Sequence, residues 1–206
     1  TVKLEECVLK RDIVLAGVGG QGILTIAAVA GNAALNDGLT IKQSEVHGMA
    51  QRGGAVVAHL RLSSDRIYSD LIPAQSADVV LAVEPLEALR HAGFLAPKGI
   101  LIVNDKPVEN IPDYPPLKRI MDGVTALDNH IIVEGDRLAR EAGSARTMNM
   151  VMVGALAPFI GISEASLRQA ISTVFSAKGD DIVAMNMKAF DAGRATALQS
   201  NAVNRQ

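Results

Sequence analysis

The sequence predicts an α/β fold: a three-layer, Rossmann-like domain with a mostly parallel sheet and a helical C-terminal section. Three observations carry this. Short, wholly apolar runs recur from Ile13 to Val133, as suits strands buried on both faces. The first run ends in glycines that open an Ala-rich helix, the strand–turn–helix order of a βαβ unit. Beyond Val133 strand signals stop and helical spacing takes over. With 206 residues, 49% hydrophobic and 20% charged, the chain can fill a real core, and we read it as one domain spanning 1–206. Aromatic residues are only 3%, so that core must be Val, Ile, Leu, Ala and Met.

Ile13 to Val18 is the first buried strand, and Ile23 to Leu35, apolar on nearly every side, is a buried helix stopping near Gly38. Thr40 to Ser44 reads as a short second strand closing the βαβ unit. From Ala55 to Leu62 the pattern alternates: Val56, Ala58, Leu60 and Leu62 share one face, and Val57, His59 and Arg61 the other. That second face is the more polar, so His59 should be half-exposed. Asp78 to Val83 is a buried strand broken off at Glu84-Pro85, Leu86 to Phe94 a short helix, and Gly99 to Val103 another strand. Asn104 to Pro116 holds four prolines and reads as loop. His130 to Val133 and Asp136 to Ala142 complete the strand–helix series. Met148 to Ile160 is an apolar helix, Ser163 an N-cap for the next one, and Ala184 to Leu198 a last helical stretch.

Several functions are excluded or disfavoured. A net charge of −2 with scattered Lys and Arg offers no grip for nucleic acid or an anionic membrane. No apolar run approaches the ~20 residues needed to span a bilayer. The stretch TVKLEECVLKRD lacks the apolar centre of a signal peptide, and the expected location is cytoplasmic. One cysteine, Cys7, cannot form an internal disulfide or hold an iron–sulfur cluster, which usually needs four thiolates. The four histidines are too dispersed for a metal site; His91 and His130 read as surface residues.

Two segments carry chemistry. Gly17, Gly19 and Gly22 spell G-x-G-x-x-G between a strand and a helix, the right context for a dinucleotide fingerprint. The fingerprint also wants an acid ending the second strand, where Gln43 and Ser44 stand and Glu45 lies just beyond. A tight turn or an anion-facing loop is the alternative. The second segment, Gln43 to Gly54, packs polar, titratable and glycine residues between two apolar strands. It is either a plain surface loop or a ligand loop at a sheet edge. In the second case Glu45 and His47 are the candidate proton-transfer groups, and Arg52 beside Gly53-Gly54 can fork onto a phosphate.

The run Gly17-Val18-Gly19-Gly20-Gln21-Gly22, taken with Ser44-Glu45-Val46-His47-Gly48-Met49-Ala50-Gln51-Arg52-Gly53-Gly54-Ala55-Val56, resembles the gamma-type subunits of 2-oxoacid:ferredoxin oxidoreductases. Glu45-Val46-His47-Gly48 is similar to the beta-subunit wording of that family's indolepyruvate branch. The likeness continues at Asp78–Glu84, Gly99–Asn104, Asn149–Gly154 and Asn186–Gly193. It implies a subunit, inactive alone, of an enzyme that oxidatively decarboxylates a 2-oxo acid. The acyl group would go to coenzyme A and the electrons to ferredoxin. Thiamine diphosphate and iron–sulfur clusters would sit on partner subunits and none on this chain. Gly19, Gly20, Gln21, Gly22, Arg52, Gly53 and Gly54 would face coenzyme A. A free-standing dinucleotide oxidoreductase and a purely structural assembly subunit, homodimeric or not, are the other two readings.

Overall fold

The computed structural model describes residues 8–47 and 53–200. Cys7 lies outside them. Six strands form one sheet: β1 (Lys10–Val18), β2 (Thr40–His47), β3 (Ala55–Ser63), β4 (Ala77–Ala82), β5 (Leu95–Asn104) and β6 (His130–Val133), in the order β2-β3-β1-β4-β5-β6. Strands β1, β4, β5 and β6 are parallel neighbours, whereas β3 is antiparallel to both β1 and β2. The sheet is therefore mostly parallel, as the apolar runs predict.

Alternation along β1 explains the three layers. Ile13 and Leu15 join one core, and Val14 and Ala16 join a second core on the opposite face. Helices α1 (Ile23–Asn36), α4 (Gly135–Glu141), α5 (Met148–Leu156), α6 (Glu164–Phe175) and α7 (Asp180–Gln199) contribute to the first core. Helices α2 (Pro85–His91) and α3 (Leu117–Thr125) supply Ala88 and Val124 to the second. The helical C-terminal section thus covers a single face. Ser163 caps α6 as expected, its hydroxyl accepting from the Ser166 N–H at 3.1 Å.

The likeness at Asn149–Gly154 and Asn186–Gly193 has a packing cause. A Cβ on Gly154 would overlap the Phe190 carbonyl, and one on Gly193 the Val151 carbonyl. Helices α5 and α7 touch backbone to backbone there, which only glycine permits.

Three expectations need correction. Strands β1 and β2 do not form an adjacent βαβ pair, because β3 runs antiparallel beside β2 and inserts between them. Helix α3 follows the proline-rich loop; it buries only Ile120 and Val124, too brief a period to stand out. His59 is 6% exposed, because β3 is an inner strand with packing on both faces. Its Nδ1 accepts from the Ile72 N–H at 2.9 Å, and its ring meets Phe94 edge-on at 5.2 Å. His91 and His130 are half-buried as well, each Nδ1 within 2.9 Å of a backbone carbonyl, Glu87 and Leu127 respectively.

Candidate functional site

The C-terminal ends of the parallel strands form the upper edge of the sheet, where open α/β folds bind ligands. The two segments singled out in the sequence meet there. The Gly19 N–H donates to the Gly54 carbonyl at 2.8 Å, and the Gly53 N–H donates to the Gly19 carbonyl at 3.3 Å. These two bonds extend the β1–β3 ladder past Val18 and Ala55. They join the glycine loop to the Gly53-Gly54 turn in one seam.

Each member of the glycine loop has its own environment. A Cβ on Gly17 would overlap Val83, so that glycine serves packing. Gly20 has φ +98° and nothing near it, leaving its backbone open to an approaching group. The Gln21 side chain folds back: its Oε1 accepts from the Val18 N–H at 2.7 Å and its Nε2 donates to the Val83 carbonyl at 3.1 Å. It stitches β1 to β4, so only its backbone faces outward. Gly22 caps α1 at φ +78°, and the Asn149 amide occupies the place a Cβ would take. Among the described residues the Asn149 Oδ1 is buried without a hydrogen-bond partner, a polar atom beside the start of α1.

Glu45 is half-buried on β2, opposite Ala58, and its Oε1 accepts from the Gln43 amide. His47 ends β2 opposite Val56. The His47 side chain and residues 48–52, Arg52 among them, lie outside the described part. The strand order bears directly on the dinucleotide reading. An acid at the end of β2 would stand two strand spacings, about 10 Å, from β1, with β3 between. Glu45 on β2 therefore does not stand beside the glycine loop as a ribose-binding acid would.

Sequence reasoning missed the polar groups that shape this edge. Glu84, only 1% exposed, sits where β4 meets α2. Its Oε2 accepts from the Glu87 N–H at 2.8 Å, while its Oε1 accepts from the Val108 N–H at 3.4 Å and from the Tyr114 hydroxyl. Burial, and then that bond to Glu84, raise the Tyr114 pKa well above the usual phenol range, so the hydroxyl keeps its proton. Asn104, also 1% exposed, accepts from the Gly135 N–H at 3.0 Å and donates to the Asp136 carboxylate at 3.3 Å. Burial, and then the Glu134 carboxylate, raise the Asp105 pKa beside it. Asn110 donates to the Gly53 carbonyl at 2.7 Å. The one local signal was Glu84-Pro85 ahead of Glu87, an N-cap pattern. No cluster of three His, Cys, Asp or Glu suited to a metal exists among the described residues, and none of their helices is long and apolar enough to cross a membrane.

The chain is similar to several known proteins. The chain is 38% identical over 192 residues to the indolepyruvate oxidoreductase subunit IorB of Pyrococcus horikoshii, covering 88% of this chain and 93% of that one. Its fold matches a 2-oxoglutarate:ferredoxin oxidoreductase from Magnetococcus marinus, solved with 2-oxoglutarate, coenzyme A and succinyl-CoA bound, at TM-score 0.74 and 26% identity. That match covers 94% of this chain and 32% of the other, so the present chain spans about a third of the longer one. A keto/oxoacid ferredoxin oxidoreductase gamma subunit from Geobacter sulfurreducens has the same fold at TM-score 0.69, 24% identity, with 92% and 97% of the two chains covered. Residues 12–196, nearly the whole chain, match the pyruvate ferredoxin/flavodoxin oxidoreductase family, and the chain belongs to it.

Proposed function

We propose that this chain is the gamma-type subunit of a 2-oxoacid:ferredoxin oxidoreductase acting on indolepyruvate or a related arylpyruvate. The complex oxidatively decarboxylates the 2-oxo acid, passes the acyl group to coenzyme A and delivers the electrons to ferredoxin. One observation carries this reading: identity of 38% with an indolepyruvate oxidoreductase subunit, over almost the full length of both chains. The place of work is cytoplasmic.

An iron–sulfur cluster does not fit this chain, because its one cysteine falls short of the usual four thiolates. Clusters and thiamine diphosphate belong to partner subunits in this reading, and they supply the electron transfer and the carbanion chemistry. This chain's part is to present the upper edge to coenzyme A. Gly19, Gly20 and Gly22 offer backbone where a bulky side chain would obstruct, Gly53 and Gly54 complete the seam, and Arg52 supplies a fork for phosphate. Glu45 and His47 remain the candidates for proton transfer beside it. Leu24 (49% exposed) and Leu35 (55% exposed) lie three turns apart on one face of α1, two apolar side chains open to a partner subunit.

The test is reconstitution with the thiamine- and cluster-bearing partner under anaerobic conditions, following ferredoxin reduction. Reduction should require indolepyruvate and coenzyme A together, and indolepyruvate should surpass pyruvate and 2-oxoglutarate in kcat/KM. A complex that prefers either of those acids would refute the substrate assignment. A stoichiometric flavin or cluster spectrum from this chain alone would refute the subunit assignment.

A further inference from the structure

The proline-rich segment 105–116 has no helix or strand, yet it is tied down along its length, starting with the Asp105 N–H on the Val133 carbonyl and Lys106 on Asp136, both at 3.0 Å. Glu84 holds it at both ends, through the Val108 N–H and the Tyr114 hydroxyl. Asn110, between those anchors, reaches the Gly53 carbonyl at 2.7 Å. Pro107, Pro112, Pro115 and Pro116 fix φ along its length and stiffen it. Gly53 in turn is bonded to Gly19. An unbroken path therefore runs from the end of β4, across the segment, to the glycine loop.

We infer that segment 105–116 is a strap across the upper edge, and that Asn110 and Tyr114 are positioning residues for the coenzyme A step. The inference rests on the reading that coenzyme A is met at the Gly19–Gly54 seam. Three features favour positioning over mere loop anchoring. Glu84 is a buried carboxylate with no cation bonded to it among the described residues; its recorded donors are two backbone N–H groups and a phenol. The partners of Glu84 lie on the strap and on α2, so its charge orders that segment instead of closing an ion pair. The Asn110 bond is aimed at the one turn that the family resemblance marks as its most specific segment. A glycine turn has little stiffness of its own, and a side chain donating to its carbonyl fixes the plane of that peptide.

The test uses the reconstituted complex carrying Asn110→Ala, Asn110→Gln, Tyr114→Phe or the Asn110→Ala/Tyr114→Phe pair. Two readouts are taken: hydrogen exchange at the Gly19 and Gly53 amides, and steady-state kinetics in coenzyme A beside carbon dioxide exchange without it. Asn110→Ala should speed exchange at both amides and raise the KM for coenzyme A about three- to tenfold, the size of one neutral hydrogen bond. The turnover number and carbon dioxide exchange should stay within about twofold, as expected when binding geometry alone is lost. Asn110→Gln should recover part of the loss, Tyr114→Phe should act in the same direction, and the double variant should fall short of the product of the singles. Unchanged amide exchange in Asn110→Ala and Tyr114→Phe would overturn the strap. Faster exchange with an unchanged KM would show that the strap holds the seam but that coenzyme A is met elsewhere, which overturns the positioning role together with the reading beneath it.

Discussion

The two edges of the sheet both bury a carboxylate, and they use it in opposite ways. At the lower edge Asp12 is 1% exposed and accepts a forked pair from Arg61, Nε at 2.7 Å and Nη2 at 3.0 Å, with the Lys10 ammonium at 3.1 Å. The remaining Arg61 nitrogen donates to the Ser69 and Leu71 carbonyls. Asp12 is thus answered by charge, and Arg61 by charge and by backbone. At the upper edge Glu84 meets N–H and O–H groups on α2 and the strap, and those elements lead on to glycine backbone. The lower edge also has a hollow, a cleft of about 310 Å³ lined by Lys10, Asp12, Arg61, Arg66 and Tyr68 among others. One edge holds its carboxylate in an ion pair, and the other uses its carboxylate to order the backbone around it.

This contrast can be broken first at Arg61. Arg61→Ala leaves the buried Asp12 with the Lys10 ammonium alone, and we expect a loss of up to roughly 3–5 kcal/mol in unfolding free energy, measured by urea titration. Arg61→Lys should restore only part, because an ammonium cannot fork. Neither should shift the KM for coenzyme A in whatever complex still assembles. A shift there would mean that the lower edge takes part in the reaction.

Next in size are the glycines that let α5 and α7 touch. Gly193→Ala or Gly154→Ala forces two backbones apart, and overpacking of this kind costs about 1–3 kcal/mol or more. The melting temperature should fall in both. A melting temperature unchanged in either variant would show that the helices separate freely, and that the close contact is not a constraint on sequence.

The smallest effect is in pH. Burial first, and then the positive charges of His91 and Arg61, lower the His59 pKa below its ordinary 6.5. The folded protein therefore resists protonation that the unfolded chain accepts. This contribution to stability is complete above about pH 6.5 and drains away as pH falls from there through the folded-state value. His59→Asn keeps an acceptor for the Ile72 N–H and removes the proton site. Its unfolding free energy should decline less than the native protein's between pH 7 and pH 5, read by denaturant titration. Parallel declines would contradict the assignment.

How much of this was legible in the sequence depends on the range of the interaction. The strands β1, β4 and β5 were readable because burial on two faces writes itself into consecutive residues such as Ile13–Val18 and Gly99–Val103, and β3 was readable from the alternation of Val56, Ala58, Leu60 and Leu62. The glycine loop and the Gly53-Gly54 turn were readable as separate segments, but not as one seam, because their two backbone bonds join positions 34–35 residues apart and leave no mark on composition. Glu84 and Tyr114 are 30 residues apart, and neither belongs to a periodic pattern that predicts the other. His59 failed for a related reason: alternation told which face it takes, but not that Ile72 and Phe94 cover that face.

The difference between the edges is most directly tested by hydrogen exchange on the reconstituted complex with and without coenzyme A. We expect coenzyme A to slow exchange at residues 19–22, 53–54 and 108–114, and to leave residues 10–12 and 61–69 unchanged. Protection at the lower edge instead, or no protection at either edge under saturating coenzyme A, would contradict the assignment of the upper edge as the working end of this chain.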